Sequence, residues 1–351
     1  MSFDPLAPTP LLTADLPGIG GRIKSQPEDF EVEEIPAYEP SGSGDFLYLW
    51  IEKRGLGAEY FVRQVARRLD LPTQEIGTAG LKDRHAVTRQ MVSVPIAVEP
   101  NLPRLEGDGI RVLRVGRHGN KLKAGHLHGN RFRILLRDVD PDTPGRLPAL
   151  VERLRAFGLP NFYGSQRFGR DGETYRIGCE LLEGKGRRIS PFLRRLALSA
   201  TQSAIFNRYL AARMGDGLLR RIIDGDVMAK WPMGGMFNAE DLPREQERFE
   251  ARETVPTGPI FGRKMFAARG EAAKREADAL ADAGLTPTAF DGFGKLMNGT
   301  RRFALVHVED LTGTIEPEGV RLEFTLPAGS YATVLVRELS HGDTGEGDDV
   351  E

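Results

Sequence analysis

The sequence predicts an α+β protein in which a mixed-sheet domain is interrupted by a second, more helical unit. Strand patterns occupy the first and last thirds of the 351-residue chain, whereas residues 161–300 alternate helical segments with short strands. A chain of this length exceeds what one hydrophobic core usually serves, so two domains are the default expectation. Strands on both sides of a helical middle indicate that the second unit is an insertion.

The composition is that of an ordinary soluble globular protein, with 40% hydrophobic and 28% charged residues. The N-terminus carries no signal-peptide pattern and the chain has no long apolar run, so we expect a cytoplasmic protein without a membrane span. The single cysteine, Cys179, cannot form an internal disulfide and excludes a cysteine-based metal site. We expect it to be a buried thiol.

Charge is distributed unevenly along the chain. The net charge of −2 by itself does not favour a nucleic-acid binder. Residues 111–137, however, hold eight basic residues and no acidic one, and a second basic cluster lies at residues 185–195. Such patches suit a phosphate backbone, and a solvated basic face explains them equally well. Acidic residues concentrate in residues 342–351, which we expect to be a disordered tail.

Local patterns predict the individual elements. Alternating or short apolar runs predict strands at residues 22–35, 45–53, 91–94, 110–115, 131–136, 301–308 and 319–326. Helical spacing of apolar residues predicts helices at residues 58–69, 148–157, 196–214, 270–283 and 332–339. Proline- and glycine-rich stretches predict a linker at residues 141–146 and turns at residues 231–237 and 256–259.

The most informative stretch is residues 77–90, a loop that is opened by glycines, has three charged residues at its centre and enters a strand. Its carboxylate, Asp83, is flanked by Lys82 and Arg84, and nearby cations favour the ionised form of a carboxylate. An anionic Asp83 is available as a nucleophile or a base. The alternative interpretation is a solvated turn with weak surface ion pairs.

Other chemical motifs are scarce. His126 and His128 share a glycine-rich loop and could face the same way, but no third ligand has metal-site spacing and the HEXXH pattern is absent. We therefore expect no metal site. The sequence has no P-loop and no dinucleotide fingerprint. Residues 161–169 are rich in aromatics and glycine, which could stack on bases or pin two elements together.

Residues 78–90 resemble the signature of the TruD family of tRNA pseudouridine synthases, in which the aspartate of a Gly-Leu-Lys-Asp segment is catalytic. Further segments resemble the family in the same order along nearly the whole chain, at residues 24–32, 130–133, 161–169, 256–262 and 328–339. Several separated motifs in the right order argue against coincidence.

The resemblance implies an α+β fold built on a pseudouridine synthase catalytic domain. That domain has a mixed, largely antiparallel sheet and is interrupted by an inserted α/β domain, the TRUD domain. In this chain the catalytic domain would comprise residues 1–158 and 304–341, and the inserted domain residues 159–303. The acidic tail at residues 342–351 would follow.

The resemblance also implies which residues form the site. Asp83 would be the catalytic residue, and the substrate contacts would fall on Phe30, Asn130, Phe132 and Tyr331. Lys24 is a basic residue that could partner the aspartate. The family pattern has phenylalanine where Tyr331 stands, and the tyrosine ring can still stack. Plain core packing is the alternative interpretation of Phe30 and Phe132.

The implied activity is that of an isomerase acting in tRNA processing. It would convert uridine 13, in the D-arm region of tRNA, to pseudouridine after the uridine has left its stack. The isomerisation gains and loses no group, so no cofactor is needed, and tRNA is the expected partner. No obligatory protein partner is evident.

Two further functions compete with this interpretation. A non-catalytic RNA-binding or chaperone protein would also use basic patches and aromatic residues. A nucleoside hydrolase or glycosidase would use a carboxylate, but such enzymes normally need a second acidic residue. One aspartate suffices for the isomerase because the leaving base stays bound. Whether Asp83 attacks the sugar or abstracts a sugar proton is left open by the sequence.

Overall fold

The computed structural model describes residues 4–185 and 188–342. The strands in these residues are β1 Gly20–Arg22, β2 Phe30–Pro36, β3 Phe46–Arg54, β4 Gly77–Thr78, β5 Val87–Pro95, β6 Ile110–His118, β7 Leu127–Val139, β8 Leu159–Pro160, β9 Val227–Lys230, β10 Met236–Asn238, β11 Thr254–Ile260, β12 Thr300–Phe303, β13 Leu305–Val306, β14 Thr312–Glu316 and β15 Gly319–Pro327. The helices are α1 Ala58–Leu69, α2 Thr143–Phe157, α3 Glu173–Leu182, α4 Pro191–Gly215, α5 Leu242–Glu250, α6 Gly270–Asp282 and α7 Ala332–Ser340.

The largest sheet joins the two ends of the chain. It has nine strands in the order β14-β15-β7-β2-β5-β3-β6, with β1 beside β7 and β4 beside β5. Within the described residues, β2 and β5 form its only parallel pair, and its other pairs are antiparallel. The predicted α+β fold with a mixed, largely antiparallel sheet is therefore confirmed.

The middle of the chain forms a separate sheet of four antiparallel strands in the order β10-β9-β11-β12. Helices α3, α4, α5 and α6 come from the same region. The short strands β8 and β13 pair with each other, so Leu159 lies opposite Val306 where the chain leaves and re-enters the first unit. The domain boundaries at 158/159 and 303/304 stay predictions.

Apolar side chains hold helices against the large sheet. One buried cluster joins Ile134 of β7 and Leu322 of β15 to Leu150 of α2 and Leu335 of α7. A second cluster packs α1 onto the other end of the sheet. Burying each leucine or isoleucine contributes roughly 1.5–3 kcal/mol, so these helices are fixed relative to the strands that they cover.

Two predictions that rest on proline and glycine signals are wrong. The predicted linker at residues 141–146 runs into α2, which begins at Thr143, because a proline is tolerated in a first helical turn. The predicted turn at residues 256–259 is part of the buried strand β11. This strand pairs with β9 through its first half and with β12 through its second, so each proline keeps one side free of ladder hydrogen bonds.

Three other expectations have simpler outcomes. The predicted turn at residues 231–237 runs into β10, which begins at Met236. Cys179 is buried as predicted, and burial raises the pKa of its thiol.

The predicted tail at residues 342–351 lies outside the described residues except for Gly342. No helix in the part of the chain that the structure describes is long and apolar enough to cross a membrane.

His307 is a buried histidine next to the junction strand β13. Its exposed fraction is 7%, and neither ring nitrogen has a hydrogen-bond partner among the described residues. The ring packs edge-on against Trp231, with centroids 5.3 Å apart. Burial, with a smaller contribution from the Arg252 guanidinium, lowers the pKa of His307 to about 4. The folded protein therefore holds this imidazole in its neutral form.

This lowered pKa predicts a loss of stability in acid. The histidine binds a proton near pH 6.5 when unfolded and near pH 4 when folded, so falling pH across this window favours the unfolded chain. We expect the free energy of unfolding of the wild type, relative to His307→Phe, to fall by up to about 3 kcal/mol across it. Urea denaturation at several pH values measures the difference. A difference that is constant with pH would contradict the assignment.

Candidate active site

Lys24 and Asp83 are brought together by the parallel pairing of β2 with β5. Because the two strands run in the same direction, with Glu31 opposite Val87, the segments that precede them emerge at the same edge of the sheet. Lys24 lies in the segment before β2 and Asp83 in the segment before β5. Lys24 Nζ is 3.9 Å from Asp83 Oδ2, and the side chains are 5% and 32% exposed. The contact is therefore a largely buried ion pair open to solvent on the aspartate side.

The backbone of Lys24 is in the left-handed region, with φ +59°. For a residue with a Cβ this conformation costs roughly 1–2 kcal/mol, and such strain concentrates at functional sites. The lysine makes two contacts that offset the cost. Its ammonium approaches Asp83 and lies 4.9 Å from the centre of the Phe30 ring, as a cation over an aromatic face.

The backbone that carries Asp83 is held by a buried lysine of β3. Lys53 Nζ donates to the carbonyl oxygen of Asp83 at 2.9 Å and to that of Lys82 at 3.3 Å. Lys53 itself is fully buried. Hydrogen bonds from a charged donor are stronger than those between neutral groups. Lys53 therefore holds the backbone of the Asp83 loop against the sheet.

The Lys82 side chain fixes the same loop from a second direction. Its Nζ donates to Glu34 Oε2 on β2 at 2.8 Å, and the two side chains are 4% and 1% exposed. The ammonium of Lys82 is therefore paired with Glu34, and its expected effect on the ionisation of Asp83 stays a prediction. Lys24 is the lysine whose ammonium meets the Asp83 carboxylate, and it comes from a segment 59 residues away in sequence.

The start of the loop is packed as closely as glycine allows. A Cβ on Gly77 would lie 2.4 Å from the Leu122 carbonyl oxygen, so only glycine permits this approach. The buried Ala79 accepts a hydrogen bond from the Gly125 amide at 2.9 Å. The loop is thus held at its start by the neighbouring segment and at its centre by Lys53 and Lys82.

Asp83 opens onto a cavity of about 330 Å³. One wall comes from alternate residues of β2 and β7, which share a face of the sheet because Val32 lies opposite Phe132. The opposite wall comes from the turn before α7, including Tyr331. The structure therefore brings the sequence-predicted residues to one place, and those lining the cavity are Phe30, Asp83, Asn130, Phe132 and Tyr331.

The two phenylalanines are core residues as well as cavity residues. Phe30 and Phe132 are 1% and 6% exposed, with ring centroids 6.2 Å apart in an edge-to-face arrangement. Phe132 also stacks on Phe324 of β15, with centroids 5.2 Å apart. Because the aromatic wall is anchored in the core, its geometry does not depend on a ligand.

Asn130 brings an unpaired polar atom to this apolar wall. Its Oδ1 is buried and has no hydrogen-bond partner among the described residues. A buried unsatisfied acceptor costs roughly 1–3 kcal/mol. The amide oxygen therefore favours a ligand with an N–H donor in the cavity that it lines.

Tyr331 is the N-cap residue of α7, and the turn before it is tied to the middle of the chain. Arg302 of β12 donates to the Gly329 carbonyl at 2.8 Å and to Asn161 Oδ1 at 2.7 Å, and Ser330 Oγ donates to the same Asn161 oxygen at 2.9 Å. These contacts agree with the interpretation that residues 161–169 pin elements together, and stacking of these residues on bases stays a prediction. The sequence does not indicate a role for Arg302, because a single arginine in a predicted strand matches no functional motif.

The Tyr331 ring is placed by the same region. It meets Tyr163 edge-on, with centroids 5.8 Å apart. Burial raises the pKa of the Tyr331 phenol, so the side chain is neutral at physiological pH. It offers an aromatic face and one hydroxyl to the cavity, without charge.

The structure offers little to a metal ion. No group of three or more His, Cys, Asp or Glu side chains in the described residues could hold one. His126 Nδ1 instead contacts the Tyr38 hydroxyl at 2.6 Å. The arginines at residues 111–137 are mostly matched by acidic side chains, as in the pairs Arg131–Glu33 and Arg137–Asp29. The local charge excess that the sequence indicates is therefore smaller in the folded protein.

A solved structure has the same fold over nearly the whole chain. The crystal structure of a tRNA pseudouridine synthase D candidate from Methanosarcina mazei superposes with a TM-score of 0.77 and 22% identity, covering 97% of each chain. This likeness shows that the two chains share one mixed α+β fold.

Sequence comparison identifies the family. The profile described as tRNA pseudouridine synthase D (TruD) matches residues 9–189 and 186–339. The tRNA pseudouridine synthase D of Anaeromyxobacter dehalogenans strain 2CP-1 is 46% identical over 340 residues, which cover 95% of this chain and 97% of that one. The protein of the same name from a strain of Thermus thermophilus is 44% identical over 332 residues, covering 94% and 91%. The chain belongs to the tRNA pseudouridine synthase D (TruD) family.

The buried pair of Glu34 with Lys82 gives a direct test of how the Asp83 loop is held. Glu34→Gln leaves the Lys82 ammonium buried without a counter-ion, so we expect the free energy of unfolding to fall by about 3–5 kcal/mol. Lys82→Met should cost a similar amount, and the double variant, which removes both charges, should regain most of the loss. Urea denaturation of the four proteins measures the coupling.

An exposed pair is the matched control. Arg22 and Asp138 are both 65% exposed, so we expect Asp138→Asn to cost less than about 1 kcal/mol. If the losses of unfolding free energy in Glu34→Gln and Lys82→Met add up in the double variant, the two side chains do not act as a buried pair.

Proposed function

We propose that this protein is a tRNA pseudouridine synthase that isomerises uridine 13 in the D-arm region of tRNA. Asp83 acts as the nucleophile or base on a uridine that has left its stack. The observation that carries the proposal is the Lys24–Asp83 ion pair at an aromatic cavity with an unpaired amide acceptor. The names of the curated relatives support tRNA as the substrate.

The cavity suits a single flat base. Its volume of about 330 Å³ falls within the range of about 300–1,000 Å³ typical of ligand sites. Uracil carries one ring N–H between two carbonyl groups, and Asn130 Oδ1 can accept that proton. Phe132 and Tyr331 supply aromatic faces that replace part of the stacking lost when the base leaves the RNA, which costs a few kcal/mol.

The reaction needs no external group. The bond from uracil N1 to the sugar C1′ breaks, the base turns, and a bond from C5 to C1′ forms. The C5 hydrogen leaves as a proton and N1 gains one, so substrate and product are isomers. Asp83 can attack the sugar or abstract a sugar proton while uracil departs as a bound anion. Lys24 favours the ionised carboxylate that either route needs.

The cavity argues against the glycosidase alternative. Glycosidases normally use two carboxyl groups about 5–9.5 Å apart. Among the described residues that line this cavity, Asp83 is the only acidic one, and the nearby Glu34 is already paired with Lys82. A second carboxylate to activate water is therefore missing from the lining, whereas an isomerase that retains its base does not need one.

Asp83→Asn tests the catalytic assignment. The amide has nearly the same shape but is neither a nucleophile nor a base, so we expect the rate of pseudouridine formation to fall by at least about 10³-fold while tRNA binding is retained. Pseudouridine mapping of tRNA transcripts, without added metal or cofactor, measures the reaction and its position. Wild-type protein should modify position 13.

Asp70→Asn is a matched control, because Asp70 is exposed and its left-handed conformation, with φ +56°, suits asparagine. It should leave the rate unchanged. Equal loss of binding and activity in Asp83→Asn would make Asp83 structural. Tight binding of tRNA by the wild type without any pseudouridine would favour a non-catalytic RNA-binding function.

Two substitutions of Tyr331 distinguish the contribution of its ring from that of its hydroxyl. If the ring stacks on the base, Tyr331→Phe should keep kcat/KM within about 3-fold, whereas Tyr331→Ala should lower it by about 5- to 150-fold, since a stacked base is worth roughly 1–3 kcal/mol. Single-turnover pseudouridine assays measure both. A loss in the phenylalanine variant as large as in the alanine variant would show that the hydroxyl, not the ring, carries the function.

A further inference from the structure

Leu81 is an exposed apolar side chain at the mouth of the candidate active site. Its exposed fraction of 74% is the largest among the big apolar side chains of the described residues. It also belongs to the lining of the cavity that holds Asp83. A single exposed leucine on a protein surface is ordinary, but this one lies two residues from the proposed catalytic group.

The exposure of Leu81 is imposed by its neighbours. Ala79 before it is 2% exposed, and Lys82 after it is tied to Glu34. Lys53 holds the backbone carbonyls of Lys82 and Asp83. Because the chain is anchored on both sides, the leucine is presented to solvent by a fixed backbone, at the cost of leaving its apolar surface in water.

We propose that Leu81 is a wedge that enters the RNA base stack at the place vacated by the target uridine. The inference rests on the proposed function, because it assumes a uridine bound at Asp83. Residues two apart in a chain have Cα atoms at most about 7 Å apart, so a uridine whose sugar meets Asp83 brings its former stacking position close to Leu81. Apolar side chains that enter between bases are a known means of stabilising an unstacked nucleic acid.

With Leu81 as a wedge, the two sides of the Asp83 loop have complementary functions. The aromatic wall and Asn130 receive the base that has left the stack, while Leu81 covers the faces of the bases that remain. A side chain in the gap prevents those bases from closing together and from drawing the uridine back. Leu81 therefore acts on the population of the reactive complex and does not touch the reacting atoms.

Single-turnover pseudouridine formation on two substrates tests this assignment. One substrate is the folded tRNA transcript, and the other is the same transcript with an abasic site next to the target uridine, so that the stack is already interrupted. We expect Leu81→Ala to slow the reaction about 10- to 100-fold on the folded transcript and less than about 3-fold on the abasic one. Leu81→Met, which keeps a long apolar side chain, should retain most of the wild-type rate on the folded transcript.

Leu113→Ala is the matched control, because Leu113 is also an exposed leucine, at 40%, and does not line the cavity. It should leave both rates unchanged. If Leu81→Ala slows the reaction equally on both substrates, or on neither, the proposal that Leu81 is a wedge is overturned. Absence of pseudouridine with the wild type would instead overturn the proposed function.

A second readout does not require turnover. In the Asp83→Asn background, a 2-aminopurine placed next to the target uridine should brighten on binding, because its stacking partner is removed and Leu81 keeps the gap open. Adding Leu81→Ala should abolish most of that increase. An unchanged increase would overturn the wedge even where the abasic transcript proves a poor substrate for every variant.

Discussion

The parallel pairing of β2 with β5 is the constraint on which the candidate site depends. In the described residues of the large sheet the other strand pairs are antiparallel, so this is the pair of adjacent strands whose entry segments lie side by side at one edge. One segment carries Lys24 and the other Asp83, and their charged ends meet at 3.9 Å. Antiparallel pairing of β7 with β2 then places the aromatic wall beside them. The ion pair, the wall and the cavity follow from one strand arrangement.

Buried charges hold the loop that carries Asp83. Lys53 and Glu34 lie on strands of the sheet and Lys82 lies in the loop, and each buried charge has a partner on the loop or on a neighbouring strand. Desolvating these groups is costly, and such pairs add little net stability. Their value here is positional, because catalysis by electrostatics requires groups that are already in place before the substrate arrives. Arg302 and Asn161 perform the same task for the turn that carries Tyr331.

The sequence predicted local structure well and spatial partners poorly. Helix α1 occupies the predicted residues 58–69 because its apolar spacing is regular and Pro72 follows it. Asp83 stood out because glycines and charges surround it. The partner of Lys82, by contrast, is 48 residues away in sequence, and no local pattern encodes such a pairing. The prolines of β11 predict a turn, because local proline signals do not show which edges of a strand are unpaired.

Asp83 is proposed to isomerise a uridine while the base stays bound. This proposal is tested most directly with tRNA that carries tritium at C5 of its uridines, under single-turnover conditions. Because C5 becomes bonded to the sugar, each pseudouridine formed must release its C5 hydrogen to water. The account predicts tritium release equal to the pseudouridine formed, no free uracil, and neither product with Asp83→Asn. Release of free uracil, or tritium release that survives in Asp83→Asn, would contradict it.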